Sequence, residues 1–303
     1  GLTILRLFLL YWREGPDLVH HFTIKCVLYG SFVSHWVGIK SVVNSVTGLG
    51  YVFSTGGGAK NWLRWIAKFL YRLVLRSTTV IFQNSDDREL FIAHGLVHAE
   101  NAVLIRSSGV DIDRFSPQPE NAGTPIVLFP GRLLWDKGVG EFVSAARMLR
   151  DEGVLARFVL VGDPDPDNPS SIPLEQIQEW VQKSDIEWWG WREEMNEVYS
   201  QANLVCLPSY YKEGIPKSLI EAASSGRPII TTNSPGCREV VQDGKNGLLI
   251  PPRDPLALTG AIRTLLENPL QRKQMGDSGR EIAVGEFSED RIIFQTLAVY
   301  NSL

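Results

Sequence analysis

The sequence predicts an α/β protein that consists of two doubly wound, Rossmann-like domains, each built on a parallel sheet. Three observations lead to this fold class. Short apolar or β-branched runs alternate with helical windows along most of the chain, which favours parallel strands with helices on both faces. The 303 residues are about twice the usual length of one domain. The stretch 116–124 is polar and rich in Pro and Gly, as interdomain linkers are.

Each predicted strand is a short apolar run bounded by Gly, Pro or polar residues. In the first half we expect strands at 17–20, 41–46, 79–84 and 102–106. In the second half we expect strands at 126–130, 157–162, 186–189, 204–208, 228–232 and 247–250. Helical windows lie near 2–12, 60–76, 139–152, 173–183, 194–201, 215–225 and 255–268. The predicted domains are 1–115 and 116–287.

Composition excludes several classes of protein. With 44% hydrophobic and 21% charged residues, the chain is globular rather than disordered. Its three cysteines, Cys26, Cys206 and Cys237, are widely separated, which disfavours a disulfide framework and favours a reducing cytoplasm. No run reaches the ~18 apolar residues of a membrane span. No zinc-ligand spacing is present, so no metal is expected.

Charge is distributed unevenly along the chain. The net charge is −4, yet residues 1–85 hold nine basic and two acidic residues. A predicted helix in this part carries a cation at every fourth position, namely Lys60, Arg64, Lys68, Arg72 and Arg76. Because Trp and Phe lie between these cations, the helix suits an anionic membrane surface. The alternative is a core-packed helix whose cations extend to solvent. An acidic chain without a recognisable nucleic-acid motif disfavours nucleic acid as a partner.

Two cations follow the first predicted strand of the second domain. Gly131 permits a tight turn, and Arg132 and Lys137 then lie near the carboxyl end of the strand. The forked hydrogen bonds of Arg and the point charge of Lys suit a diphosphate. The alternative is a solvated loop with two surface cations.

A second loop, 208–216, leads into a helix whose start is predicted to bind an anion. Gly214 interrupts the chain before this helix, and a proline follows at a position suited to the first turn. The backbone N–H groups of Lys217, Ser218 and Leu219 would then be free to bind an anion.

Two carboxylates flank the start of this helix. Glu213 and Glu221 are eight residues apart, which places them close to one helical face. One carboxylate can hold sugar hydroxyls near the reacting carbon, and the other can hold ribose hydroxyls. The alternatives are a helix cap for Glu213 and an exposed helix face for Glu221.

Several motifs in order carry a resemblance to a known family. They are Gly-Val-Asp-x3-Phe (109–115), Gly-Arg-Leu-x3-Lys-Gly (131–138), Phe-Val-Leu-Val-Gly (158–162), Leu-Pro-Ser-Tyr-x2-Glu-Gly-x-Pro-x-Ser-Leu-x-Glu-Ala (207–222), Gly-Arg-Pro-Ile-Ile-Thr-Thr (226–232), Pro-Gly-Cys-Arg-Glu-Val-Val (235–241) and Asn-Gly-Leu-Leu-Ile-Pro-Pro (246–252). The set strongly resembles the family-4 retaining glycosyltransferases of the GT-B fold, densely over 100–268 and more loosely before.

The resemblance implies transfer of a hexose or N-acetylhexosamine from a nucleoside-diphosphate sugar, UDP-linked, with retention of configuration and no further cofactor. It implies that Arg132 and Lys137 bind the diphosphate and that the leaving phosphate takes the acceptor proton. Ser218 and Leu219 would add backbone contacts, and Glu213 and Glu221 match the E-x7-E signature, Glu221 holding the ribose. The turn Gly190, Trp191 and Arg192 would border the base.

The first domain is the expected acceptor side. The stretch 19–25 with Gly-Leu-Gly-Tyr at 48–51 resembles members that extend lipid-diphosphate-linked sugars in surface polysaccharide assembly, including lipopolysaccharide. Thr47 stands where many members have a functional histidine, and we assign no base there. Gly48 and Gly50 would approach the acceptor closely. His20 and His21 either line the acceptor site or are core histidines. A peripheral position at the inner face of the membrane is expected.

The resemblance also predicts that the first domain is incomplete at its amino end and that helix 288–303 crosses back to complete it. Two alternatives to a transferase stay open, a nucleotide-sugar 2-epimerase and a non-catalytic nucleotide-sugar-binding fragment. The run Asp-Pro-Asp-Pro-Asp at 163–167 resembles the metal motif of another transferase fold, but its prolines favour a polar surface loop.

Overall fold

A computed structural model describes residues 2–48, 59–211 and 214–303, with only the backbone of 59–64, 66 and 67. The chain divides into two compact units. The first contains Gly1–Ser107, Lys212–Ile215 and Asp290–Leu303, and the second contains Ser108–Tyr211 and Pro216–Glu289.

The first unit is built on a four-stranded parallel sheet in the order β1-β2-β3-β4. Its strands are β1 (Leu18–Phe22), β2 (Ser41–Val46), β3 (Thr79–Phe82) and β4 (Ala102–Leu104). Its helices are α1 (Leu2–Glu14), α2 (Ile24–Val37), α3 (Ala59–Leu75), α4 (Ser85–Ala93) and, near the end of the chain, α12 (Glu289–Asn301).

Helices cover both faces of this sheet. On one face Phe82 packs in a buried cluster with Tyr71 of α3 and Phe91 of α4. On the other face Ile81, the preceding residue of β3, packs with Ile292 of α12. Successive residues of a strand point to opposite faces, so β3 contributes to both layers of the core.

The second unit is built on a six-stranded parallel sheet in the order β10-β9-β8-β5-β6-β7. Its strands are β5 (Ile126–Pro130), β6 (Arg157–Val161), β7 (Glu187–Trp188), β8 (Leu204–Leu207), β9 (Ile229–Thr232) and β10 (Gly247–Ile250). Its helices are α5 (Val139–Asp151), α6 (Leu174–Gln182), α7 (Met195–Gln201), α8 (Lys217–Ser224), α9 (Cys237–Val240), α10 (Pro255–Glu267) and α11 (Pro269–Phe287).

The central strands of the second unit are buried along their whole length. Every residue of β5, β8 and β9 is buried, as expected where helices cover both faces of a parallel sheet. The predicted fold class of two Rossmann-like domains is therefore confirmed.

The two units divide between Ser107 and Ser108, whereas the sequence places the boundary after Phe115. The Phe115 ring packs edge-on against Tyr199 with 6.0 Å between centroids. Its carbonyl oxygen accepts a hydrogen bond of 2.8 Å from Ser224 Oγ. These contacts hold Phe115 in the second unit. The functional assignment of the two domains stays a prediction.

Candidate functional site

The two motif-bearing loops of the second unit follow neighbouring strands. From β5 the chain continues outward through β6 and β7, then returns to β8 beside β5 and continues the other way through β9 and β10. This reversal of strand order is where open α/β sheets bind ligands, beyond the carboxyl ends of the strands. The loops after β5 and β8 both begin at this switch point.

A cavity of about 440 Å³ lies at the switch-point edge of the sheet. It is lined by the loops after β5, β6 and β7 and by residues of α7 and α8. The structure brings together there the predicted residues Gly131, Arg132, Trp191, Arg192, Ser218 and Glu221. The other predicted donor residues that the structure describes lie outside its lining, namely Lys137, Gly190, Gly214, Lys217 and Leu219.

Two glycines bring the loops after β5 and β6 close together. Gly131 has φ +150° and donates its N–H to Val161 O at 2.9 Å. Gly162 has φ +128°, and a Cβ at this position would overlap the carbonyl oxygen of Gly131. Since L side chains rarely adopt this backbone conformation, glycine at both positions lets the backbone form the floor of the cavity.

Arg132 is the predicted diphosphate ligand that lines the cavity. Its side chain is half exposed, and Nη1 donates a hydrogen bond of 2.6 Å to Asp165 Oδ2. A guanidinium presents five N–H donors, so this single bond leaves others available for a ligand. Arg132 can therefore act as an anion ligand from this position.

Lys137 lies further along the same loop and is buried. It ends a single 3₁₀ turn, Trp135–Lys137. That turn contacts the loop after β8, because Tyr210 N donates to Asp136 O at 2.9 Å and a Cβ at Gly138 would overlap Pro208. The loops after β5 and β8 thus contact each other. Lys137 lies in the loop segment that makes this contact and does not line the cavity.

The start of α8 differs from the prediction in one respect. Pro216 caps the helix, and its carbonyl oxygen accepts a hydrogen bond of 3.1 Å from Leu219 N. The expectation that the N–H of Leu219 is free was therefore wrong, since the first turn of the helix already uses it. The Leu219 side chain is fully buried, whereas Ser218 lines the cavity.

Glu221 lies one turn into α8 and faces the cavity. The hydroxyl of the buried Tyr199 lies 3.0 Å from Ser218 O and 3.2 Å from Glu221 Oε2, so it can donate to either. Burial raises the pKa of Glu221, and the charges of Lys217 and Arg114 and the Tyr199 hydrogen bond offset this in part. Glu221 is thus a held, partly buried carboxylate, which does not fit the alternative of an exposed helix face.

The turn after β7 forms another wall of the cavity. Gly190 has φ +68°, and its carbonyl oxygen accepts from Gly162 N at 2.9 Å. Trp191 N donates to Asp163 Oδ1 at 3.1 Å, while the Trp191 side chain is 64% exposed. An exposed indole at the rim of a cavity is suited to stack on a planar ring.

The acidic loop 163–167 is a surface loop, as expected, with Asp163 and Asp167 exposed, and it also borders this site. Asp163 and Asp165 both line the cavity. Asp163 also accepts a hydrogen bond from Leu133 N through its backbone oxygen at 3.0 Å. Within the described ranges no group of three or more His, Cys, Asp or Glu could hold a metal ion. At this site the loop accepts hydrogen bonds from the Arg132 guanidinium and from the backbone N–H of Trp191.

Together these groups are chemically suited to hold an anion attached to a hydroxyl-rich group. A guanidinium and the amino end of α8 offer positive charge, and Glu221 offers a carboxylate acceptor about one helical turn away.

Comparisons with known proteins are consistent with this chemistry. The sequence profile of the family "Glycosyl transferases group 1" matches residues 124–268, and that of "Glycosyl transferase 4-like" matches residues 2–85. The N,N'-diacetylbacillosaminyl-diphospho-undecaprenol alpha-1,3-N-acetylgalactosaminyltransferase of Campylobacter jejuni is 30% identical over 300 residues, which cover 94% of this chain and 77% of the relative. The chain belongs to the GT-B glycosyltransferases.

Two further comparisons agree. The UDP-Gal:alpha-D-GlcNAc-diphosphoundecaprenol alpha-1,3-galactosyltransferase of Escherichia coli is 24% identical over 261 residues, which cover 82% of this glycosyltransferase and 66% of the relative. The crystal structure of HepE from Anabaena superposes with a TM-score of 0.83 at 19% identity, covering 100% of this chain and 83% of that one, and shows the shared fold. Family membership makes the protein a hexosyltransferase-type enzyme and favours transfer over the epimerase and non-catalytic alternatives.

In the first unit of the glycosyltransferase, the two predicted acceptor-side histidines are hydrogen-bonded within the domain. The Tyr300 hydroxyl lies 2.6 Å from His20 Nδ1, and the Ser45 hydroxyl lies 2.7 Å from His20 Nε2. Burial and the neighbouring His21 lower the pKa of His20 to about 4, so the ring is neutral at pH 7. These contacts agree with the core-histidine alternative.

His21 is also fixed in one tautomer by its partners. Nδ1 lies 2.9 Å from Asn44 Oδ1, which can only accept, so Nδ1 carries the proton. Nε2 then accepts from the Tyr11 hydroxyl at 2.9 Å. Burial lowers the pKa of His21 as well.

Gly214, which the sequence assigns to the donor site, contacts the loop after β2. Thr47 O accepts a hydrogen bond of 3.0 Å from Gly214 N, and a Cβ at Gly214 would overlap Thr47 O and the Gln83 side chain. Gly214 thus packs in the first unit, where only glycine fits. Gly48 has φ +134°. Gly50 and Glu213 lie outside the described residues.

The basic helix α3 is half core and half surface. Tyr71 and Leu75 are buried, while Trp65 and Phe69 are 69% and 56% exposed and stack with 6.0 Å between ring centroids. Arg72 Nη2 donates to His94 O at 2.8 Å.

Within the described part of the chain, no helix combines the length and apolar character needed to cross a bilayer.

Proposed function

We propose that this glycosyltransferase transfers a hexose or N-acetylhexosamine from a UDP-sugar to a glycan linked to polyprenyl diphosphate, in surface polysaccharide synthesis. The names of two relatives specify undecaprenol-diphosphate-linked acceptors, and one specifies a UDP-linked donor. HepE, a protein of the same fold, was crystallised with UDP. The observation that carries the proposal is the cavity that joins Arg132, Ser218 and Glu221 at the switch point.

The donor binds with its diphosphate toward Arg132 and the first turn of α8, its ribose hydroxyls toward Glu221, and its base beside the Trp191 turn. In the reaction, the bond between the anomeric carbon and the phosphate oxygen breaks, and the electron pair leaves with the nucleoside diphosphate. The acceptor oxygen bonds to the same face of the anomeric carbon, and its proton passes to the leaving phosphate, which gives retention. A preorganised cation at the departing charge is typically worth about 10²–10³ in rate.

The acceptor side is assigned to the first domain, 1–115 with the helix 288–303, and the donor side to 116–287. The acceptor's membrane anchor suggests a peripheral enzyme at the inner face of the membrane. The cations that would face anionic lipids are Lys68, Arg72 and Arg76, together with Lys60 and Arg64, whose side chains lie outside the described part of the chain. The exposed Trp65 and Phe69 support this orientation, since aromatic rings favour the membrane interface.

The test is a donor screen against a short-chain polyprenyl-diphosphate sugar, with the product mass as the readout. We expect one UDP-sugar to add one sugar mass, and the Arg132→Ala variant to lose at least about 100-fold in turnover. Arg263→Ala is the matched control, because Arg263 pairs with Glu152 on the surface and does not line the cavity. Wild-type turnover in Arg132→Ala would remove the diphosphate assignment.

A further inference from the structure

Arg132, which is proposed to bind the donor diphosphate, already forms an ion pair with the Asp165 carboxylate in the cavity. Arg132 Nη1 donates to Asp165 Oδ2 at 2.6 Å, and both residues line the cavity with Glu221. The Arg132 side chain is 52% exposed and the Asp165 side chain 28% exposed, so water reaches the pair. A water-accessible ion pair of this kind is weak enough for a diphosphate to displace.

The backbone of the 163–172 loop, rather than the ion pair, fixes the position of Asp165. Asp165 N donates to Ser171 Oγ at 2.9 Å, and Asp165 O accepts from Asn168 N at 2.9 Å. The prolines on either side of Asp165 restrict its backbone further. These bonds fix the backbone of Asp165, so its carboxylate can leave Arg132 only by rotation of the side chain.

The same loop is paired with the loop that carries Arg132. Leu133 N donates to Asp163 O at 3.0 Å, and Ile172 N donates to Leu133 O at 3.0 Å. The two loops thus share hydrogen bonds on both sides of the ion pair. A bound diphosphate at Arg132 would meet a carboxylate held at close range by the protein.

We propose that Asp165 competes with the diphosphate for Arg132 and thereby weakens binding of the nucleoside diphosphate product. The inference rests on the proposed function, since it requires that Arg132 binds the diphosphate. When the diphosphate binds Arg132, Asp165 gives up its hydrogen bond to the guanidinium. The loss of this bond lowers the affinity for the diphosphate, and a lower affinity favours release of the product, a step that limits many enzymes.

The test measures binding of UDP and of inorganic diphosphate by calorimetry at low salt. The proteins are the wild type, Asp165→Asn, Arg132→Ala and the double variant. Asp167→Asn is the matched control, because Asp167 is an exposed acid of the same loop that does not line the cavity. Thermal unfolding of each variant checks that the fold is retained.

We expect Asp165→Asn to bind both probes about two- to fivefold more tightly, in line with loss of a surface ion pair, and Asp167→Asn to bind as the wild type does. In the Arg132→Ala background the Asp165 substitution should have no further effect. Equal or weaker binding by Asp165→Asn would overturn the inference, as would a gain that persists without Arg132. Failure of the wild type to bind UDP, or unchanged binding by Arg132→Ala, would instead refute the proposed function.

Discussion

At the scale of single residues, the site depends on a carboxylate whose surroundings disfavour its charge. Burial raises the pKa of Glu221, and the hydrogen bond from Tyr199 opposes that rise. Tyr199 is itself fully buried, so its hydroxyl can serve only the two acceptors of α8 that it reaches, Ser218 O and Glu221 Oε2. Tyr199 is therefore a positioning residue whose hydrogen bond lowers the pKa of Glu221 and directs its carboxylate at the cavity.

Removing the Tyr199 hydroxyl should change how donor binding depends on pH. In Tyr199→Phe the pKa of Glu221 rises further, so protonation sets in at higher pH and the acid limb of donor kcat/KM moves upward. We expect the donor KM to increase about tenfold at neutral pH, since a hydrogen bond to a charged group contributes about 1.5 kcal/mol. Steady-state kinetics between pH 5 and about 9 measure both effects.

Glu221→Gln is the companion variant and should remove this acid limb altogether, because an amide does not titrate. A Tyr199→Phe enzyme with the wild-type pH profile would show that the tyrosine only fills space.

Much of the site could be predicted because its residues follow strand ends. Arg132 and Glu221 come together since the carboxyl ends of β5 and β8 are adjacent at the switch point. The role of Asp165 could not be predicted in this way. It depends on the pairing of the loops 131–137 and 163–172, and no local pattern specifies which loops of an α/β domain pair.

At the scale of secondary-structure elements, α3 combines core packing with an exposed aromatic surface. Tyr71 packs edge-on against Phe91 at 5.3 Å between centroids, which fixes the helix on the sheet. Trp65, Phe69 and Leu73 lie on the exposed side. One face of α3 is therefore packed in the core, as the alternative to a membrane helix predicts. The other face is exposed and available to a membrane.

Substitution of the exposed aromatic pair should weaken membrane binding. We expect the double variant Trp65→Ser and Phe69→Ser to lose at least about tenfold in affinity for vesicles that contain phosphatidylglycerol, because two rings no longer enter the interface. Flotation of the protein with vesicles measures the bound fraction.

Leu155→Ser is the control for this experiment, since Leu155 is 84% exposed and lies in the second unit. If the double variant floated as well as the wild type, α3 would not be the membrane contact.

The strands could be predicted more fully than the helices. Apolar runs such as 126–130 and 247–250 are short and sharply bounded, and the structure begins and ends the strands there. The helices α2, α4, α9 and α11 were not predicted. The sequence of α2 is apolar on nearly all sides, so no helical period appears, and α11 contains glycines at 276, 279 and 285 that weaken any helical pattern.

At the scale of the whole molecule, the charge distribution follows the two units. The excess of basic over acidic residues lies in residues 1–85, within the first unit. The second unit has an excess of acidic residues. We infer that this separation suits an enzyme whose acceptor is held at an anionic surface, while its soluble donor binds in the other domain. The family and the parallel sheets could be predicted from the sequence, because family motifs occur in both halves of the chain.

A crystal structure of the protein with UDP is the most direct test of the proposed donor site. We expect diphosphate oxygens within hydrogen-bond distance of the Arg132 guanidinium and of the first turn of α8, with ribose hydroxyls on Glu221. UDP bound elsewhere, for example in the cavity of about 570 Å³ lined by Arg157 and Trp189, would refute this donor site.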